Sequence, residues 1–195
     1  MKKALFIERF GAIIIDILLI SLVANMLSGI FINEKDTKKL SDQEIQLLND
    51  YNDDVIDMKT FTDEAMSINY QSSKILIPYS IIYLFLSIGY FVICQKQTGQ
   101  TLGKKLLKIK VKSTEGKLTM NQMVVRGLII DGIFFNMLDL AIILFLSKAL
   151  YLNAYSSVVF ARYGLYIVIA IMVMFRKDKR GLHDLVCHTE VVHVK

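Results

Sequence analysis

The chain of 195 residues has no tryptophan, one proline, two cysteines and three histidines. Two cysteines are too few for a disulfide scaffold. The histidines offer little for a metal centre: His183, Asp184, Cys187, His188 and His193 cluster in the tail, but their spacing matches no closed zinc pattern. The lone Pro78 leaves helices elsewhere uninterrupted. Charge is scarce too. Charged residues make up 21% and hydrophobic residues 54% of the chain, against about 25% and 45–50% in soluble domains. That balance excludes disorder and collagen, and it makes a soluble enzyme a poor fit. What the sequence does have is apolar residues gathered in long runs.

Four such runs stand out, Phe10–Ile32, Ile75–Cys94, Gly127–Ser147 and Ser157–Phe175. Each has about 19–23 residues, enough for a helix to cross a hydrocarbon core of ~30 Å. None alternates with a strand's period, so a barrel is not expected. The predicted fold is all-α and transmembrane: one domain over residues 1–195, a four-helix polytopic bundle with spans at 10–32, 75–94, 127–147 and 157–175. The opening Met-Lys-Lys resembles a signal peptide, but the run behind it is too long, holds Asp16 and lacks a clean cleavage pattern.

Charge bias orients the bundle. The loop over 33–74 carries five lysines against ten acidic residues, whereas the loop over 95–126 carries seven lysines and Arg126 against Glu115 alone. The tail over 176–195 opens with Arg176, Lys177, Lys179 and Arg180. The positive-inside rule then places both termini in the cytoplasm and the acidic loop outside, with Cys94 and Cys187 as free thiols on the inner side. These lysines answer to the membrane, so the pI of about 9.1 does not call for nucleic acid.

The loops have patterns of their own. The outer loop lacks Gly and Pro. Leu40, Glu44, Ile45, Leu47 and Leu48 make an amphipathic pattern with Ser41 and Asp42 as candidate caps, and a second weak helical stretch covers Asp57–Ile68. A lid, a partner surface and a solvated acidic spacer all fit it. In the inner loop, Leu107–Lys112 alternates apolar and basic residues, predicting a strand after Thr101-Leu102-Gly103-Lys104-Lys105. Ser113–Gly116 would turn, Lys117–Thr119 would return, and Thr189–Val194 would join them in a small sheet under the helices. Lys104, Lys105 and Lys108 are predicted to meet anionic headgroups of the inner leaflet. Gly99 and Gly103 do not make a phosphate loop, because the spacing is a residue short.

Ionisable residues inside the spans are expensive in lipid and need a partner or a purpose. Arg9 and Asp16 are seven residues apart, on one helix face about 10 Å apart along the axis. Arg126 and Asp131 open the third run near the same level. Asp139, with Asn136 nearby, and Arg162 fall at a second level about 18–21 Å from the inner end, which predicts an ion pair between them.

The Arg9…Asp16 helix, the inner loop TGQTLGKKLLKIKV, the Arg126…Asp131 start and the tail KRGLHDLVCHTEVV together resemble the RDD family of bacterial integral membrane proteins. The family takes its name from one arginine and two aspartates. The resemblance maps these to Arg9, Asp16 and Asp184, with Asp131 as the alternative second aspartate. It implies a polytopic protein of the bacterial cytoplasmic membrane, and transport, including cation/proton antiport, has been suggested for the family.

No nucleophile, base and orienting group share one depth, so no enzyme activity, catalytic residue or cofactor is expected. Two classes of function remain. One is a small transporter moving protons or monovalent cations with Asp16, Asp131 and Asp139, and its four helices favour a homo-oligomer. The other is a non-transporting adaptor or regulator bound to another membrane protein, its buried charges holding the fold together. The lipid bilayer is the partner common to both.

Overall fold

The first apolar run forms α1 (Phe6–Ser28) in the computed structural model, which describes residues 2–194. Its buried residues are Arg9, Ala12, Asp16, Ile20, Ala24 and Ser28, a single stripe at three- and four-residue steps. Phe10, Leu18, Leu22 and Met26 on its other faces are exposed. An apolar helix with an exposed apolar surface is suited to lipid. The stripe that turns inward carries the charge.

The acidic loop folds as two helices. α2 (Glu34–Asn52) is capped by Asn33, whose side chain accepts from the Lys35 N–H at 3.1 Å, and α3 (Met58–Ile75) by Asp57, which accepts from the Thr60 N–H at 2.7 Å. The first cap therefore lies eight residues ahead of Ser41, and Ser41 and Asp42 are ordinary helical positions. Leu40 and Leu47 are buried between the two helices, and Tyr51 meets Phe61 with ring centroids 4.7 Å apart. Leu76 breaks α3 from α4 (Ile77–Ser87), where Pro78 in the first turn needs no amide partner.

α4 runs into a π-helical turn over Ile88–Cys94 and then α5 (Gln95–Thr98), which together make an apolar span over Ile77–Thr98. A short α6 (Leu102–Leu106) and β1 (Ile109–Ser113) follow. The third run is broken. α7 (Met120–Ile129) and α8 (Ile133–Phe145) meet at 58°. At the break Gly132 has φ +74, a conformation that disfavours any side chain. α9 (Lys148–Phe175) starts nine residues before the expected Ser157, so Arg162 sits at its middle. Among the described residues, three helices are long and apolar enough to cross a membrane, and the bent pair adds a fourth if it counts as one span.

α10 (Leu182–Val186) and β2 (Thr189–His193) close the chain. β1 and β2 pair antiparallel, with Val111 opposite Val191. Ile109, Val111 and Ser113 point inward while Lys112 is exposed, as the alternation requires. Lys117–Thr119 is not a strand. The sheet is extended instead by the chain's start: Lys3 bridges to Val192, the Ala4 N–H donates to Val191 O at 3.0 Å, and the His193 N–H donates to Lys2 O. The N-terminus, inner loop and tail are thereby tied together at one end of the bundle.

The two ends of this sheet are built alike. α6 and α10 each have five residues, each is followed by a spacer and a residue at positive φ (Lys108 and His188), and each leads into a five-residue strand. The units stand eighty residues apart, and the Val111–Val191 pair lies on the local two-fold between them. The third residue of each short helix is a buried charge: Lys104 in one, Asp184 in the other.

Candidate functional site

Four carboxylates enter the bundle, and their surroundings differ. Asp16 is fully buried and accepts three hydrogen bonds, all from neutral donors. The Tyr90 hydroxyl donates at 2.6 Å, the Thr101 hydroxyl at 2.5 Å and the Gly103 N–H at 2.8 Å. Thr101 caps α6, and the Leu102 N–H donates to Tyr90 Oη at 2.8 Å. The carboxylate therefore docks the start of α6 against α1. Only glycine fits at 103, because a Cβ there would stand 2.2 Å from Ala12 O. The π-helical turn carries Tyr90 toward this cradle.

Asp184 is the opposite case. It is fully buried between two guanidiniums. Arg9 Nη1 donates to its Oδ2 at 2.7 Å, and Arg126 Nη1 donates to Oδ1. The Gly181 N–H adds a bond at 3.2 Å and Thr189 Oγ1 one at 3.4 Å. Arg9 Nε also donates to Ala4 O at 3.2 Å, so one arginine joins the first helix, the chain's start and the tail. Burial pushes the Asp184 carboxyl up, but Arg126 and Arg9 overcome it and hold the group below the ordinary carboxylate range. Beside it His183, deprived of water and facing Arg126, is held down to about 3 and is neutral.

Arg9 and Asp16 thus share a face of α1 but not a bond. Arg9 reaches to the tail and Asp16 to the inner loop. Arg180 donates to the backbone oxygens of Asp184 and Thr189.

Asp131 lies at the break between α7 and α8, and neither of its buried oxygens meets a donor in hydrogen-bond geometry, although the Gln95 amide, itself unpaired at Nε2, and the Lys104 ammonium stand near it. It lines a cleft of about 280 Å³ together with Arg9, Lys104, Arg126, Tyr166 and His183. Lys104 is buried, unlike the lipid-facing residue expected of it, and its ammonium donates to Gln95 Oε1 at 2.9 Å. Loss of water lowers it to about 8, with Asp131 pulling the other way. Lys105 and Lys108 are exposed, as a headgroup contact needs. Arg9, Lys104 and Arg126 balance Asp16, Asp131 and Asp184 across this level, three charges of each sign among the described residues.

Further from the sheet, Arg162 pairs with Asp139 and lies over the Phe135 ring at 5.4 Å. A second cavity of about 250 Å³, lined by Ser21, Tyr79, Ser80, Tyr83, Asn136 and Asp139, lies beside the pair. Gly132 connects the two levels: a Cβ on it would come within 2.9 Å of Tyr166 Oη and 3.9 Å of Asn136 Nδ2.

The sequence model of the family described as RDD matches residues 3–188. The chain belongs to the RDD family. No curated protein and no solved structure matches it. In this RDD protein the match takes in the acidic hairpin and Arg162 as well as the motif-bearing end. The structure joins Arg9 to Asp184, the arginine and second aspartate of the resemblance, and leaves Asp131 apart from both.

Tyr90 and Gln95 complete these sites without having been singled out, and Thr101, Gly103 and Thr189 do so in roles other than those their motifs suggested. Thr101 carries a readable signal, a hydroxyl one residue before an apolar-basic helix. Tyr90 and Gln95 carry none, because the π-helical turn sets their direction.

Proposed function

We propose that this RDD protein exchanges protons, or protons against small monovalent cations, across the bacterial cytoplasmic membrane through Asp131. The observation that carries this is the contrast in satisfaction. Asp16, Asp184 and Asp139 each have a hydrogen-bonded or ionic partner, whereas both oxygens of Asp131 are buried without one beside an open cleft. A carboxylate held by two guanidiniums releases and takes up protons poorly near neutral pH, and an unpaired buried one is free to do so. Lys104, lowered to about 8, is a second proton-bearing group lining the same cleft. The cavity at Asn136 and Asp139 continues the polar line past Gly132 toward the acidic hairpin. Charge bias places both termini and the sheet in the cytoplasm in a four-span arrangement.

Sealed liposomes with an internal pH dye, pulsed with sodium or potassium, test this reading. Wild type should move protons when the cation gradient is applied, and Asp131→Asn should abolish the flux. An equal flux in Asp131→Asn, or none in folded wild type, sinks the proposal.

A non-transporting adaptor is the second reading. It is favoured by the helical hairpin, which exposes Ile45, Leu48, Val55 and Met58 at the end away from the sheet. Residue-specific crosslinking from Leu48 in native membranes should capture a membrane protein under this reading and only lipid under the first.

A further inference from the structure

The cleft at Asp131 has a shape and a polarity that proton exchange does not use. It opens between α1 and α9, with Ile13, Ile14 and Ile17 on one wall and Ile169, Ala170 and Val173 on the other. Ile14 and Ile17 line it and are also exposed, so its mouth faces the side where lipid would lie. Its charges are confined to the sheet end, where Arg9, Lys104 and Arg126 outnumber Asp131 among the lining residues. Arg126 is 3% exposed, yet its Nε has no acceptor. A buried guanidinium N–H without a partner is costly, and the missing partner is an acceptor.

We propose that this cleft binds one anionic phospholipid from the leaflet on the sheet side. The phosphate would accept from Arg126 Nε in the field of Lys104, and one acyl chain would lie along Ile13, Ile17 and Ile169. The polarity matches a lipid's own. The cationic end is level with the sheet, and the apolar walls climb α1 and α9 toward the membrane centre. At about 280 Å³ the cleft is just below the usual size of ligand sites, roughly 300–1,000 Å³, and suits one chain better than two. The site does not depend on Asp131 carrying protons.

Native mass spectrometry of the purified full chain, with phosphatidylglycerol, phosphatidylcholine or inorganic phosphate added separately, tests the inference. Phosphatidylglycerol should be retained at least ~10-fold better than phosphatidylcholine, whose phosphate offers the same acceptor but whose choline cation is repelled by Arg9, Lys104 and Arg126. Ala170→Phe, which fills the cleft from α9, should remove that preference, and Ala170→Leu should weaken it if the larger ring impairs folding. Equal retention of the two lipids in wild type overturns the site's charge selection. Inorganic phosphate retained as well as phosphatidylglycerol overturns the lipid as its occupant. A preference that persists in folded Ala170→Phe overturns its location. Proton flux is measured separately, so its loss or survival leaves these outcomes intact.

Discussion

The two short helix–strand units, one in the inner loop and one in the tail, have the same backbone plan and opposite chemistry. In the tail unit the third helical residue is Asp184, clamped by Arg9 and Arg126 with further bonds from Gly181 and Thr189. In the loop unit the third residue is Lys104, which reaches Gln95 and leaves the nearby Asp131 without a partner. One unit locks the termini to the bundle. The other leaves a carboxylate available beside a cleft. A buried charge is thus not one kind of feature: its meaning depends on how many donors or acceptors converge on it.

Removing the carboxylate of the locked unit should have the largest effect. Asp184→Ala leaves two guanidiniums buried without compensation and should destabilise the protein by about 3–5 kcal/mol, read as a lowered midpoint of thermal unfolding in detergent. Asp131→Asn, which loses no bonded partner, should stay within about 1 kcal/mol of wild type. Equal losses in the two variants would erase the distinction between the units.

Asp16 sharpens the comparison from the other side of α1. Asp16→Ala strips the acceptor from the Thr101 hydroxyl and the Gly103 N–H and should cost about 1–3 kcal/mol for the orphaned donors. Gly103→Ala should loosen the same contact, because its Cβ falls on Ala12 O. Hydrogen exchange of the amides over 101–106 should accelerate in both variants while the sheet amides stay protected. Acceleration spread evenly over the chain would show that α6 is not a separately anchored piece.

The locked unit should also be sensitive to acid. His183 is neutral in the fold, held at about 3 against an ordinary 6.5. The unfolded chain takes up a proton that the fold refuses, so this contribution is intact above pH 6.5 and is lost as pH falls from there toward 3. Asp184 adds a second loss below its ordinary 3.8, since its folded form is held lower still. His183→Gln should flatten unfolding against pH between about 6.5 and 4 and leave the steeper loss below. An unchanged profile would mean that His183 is solvated.

The smallest effect belongs outside both units. Lys112 is exposed on β1 opposite Glu190, and Lys112→Gln should change stability by no more than about 0.5 kcal/mol.

Much of this fold can be read from residue order. The apolar runs mark the spans because lipid demands long helices, and the alternation over Leu107–Lys112 marks a strand, which begins only at Ile109 because Leu107 ends α6 and Lys108 turns the chain at positive φ. The pairing of Asp139 with Arg162 is anticipated by helical rise, although the break at Gly132 and the earlier start of α9 change the depths that rise assigns. Other features depend on contacts distant in sequence. Arg9 turns to Asp184 across 175 residues, and no local spacing sets that choice against Asp16, seven residues away. Lys104 belongs to a run of lysines that all look alike until the sheet fixes which one points inward. The break at Gly132 is hidden inside an apolar run. The paired units share only a leucine and a valine across their helix and strand positions, Leu102 with Leu182 and Val111 with Val191, so the repeat is one of conformation and not of composition.

The central claim is that Asp131 is the one carboxylate of the bundle that changes protonation during turnover. Infrared difference spectroscopy of the protein in lipid, recorded as a sodium or potassium gradient is applied, reads this directly through the carboxylic acid carbonyl stretch. The account predicts a single carboxyl band that vanishes in Asp131→Asn and survives in Asp16→Asn. A band that persists in Asp131→Asn and disappears with Asp16 would contradict it, and would move the working carboxylate from the open unit to the docked one.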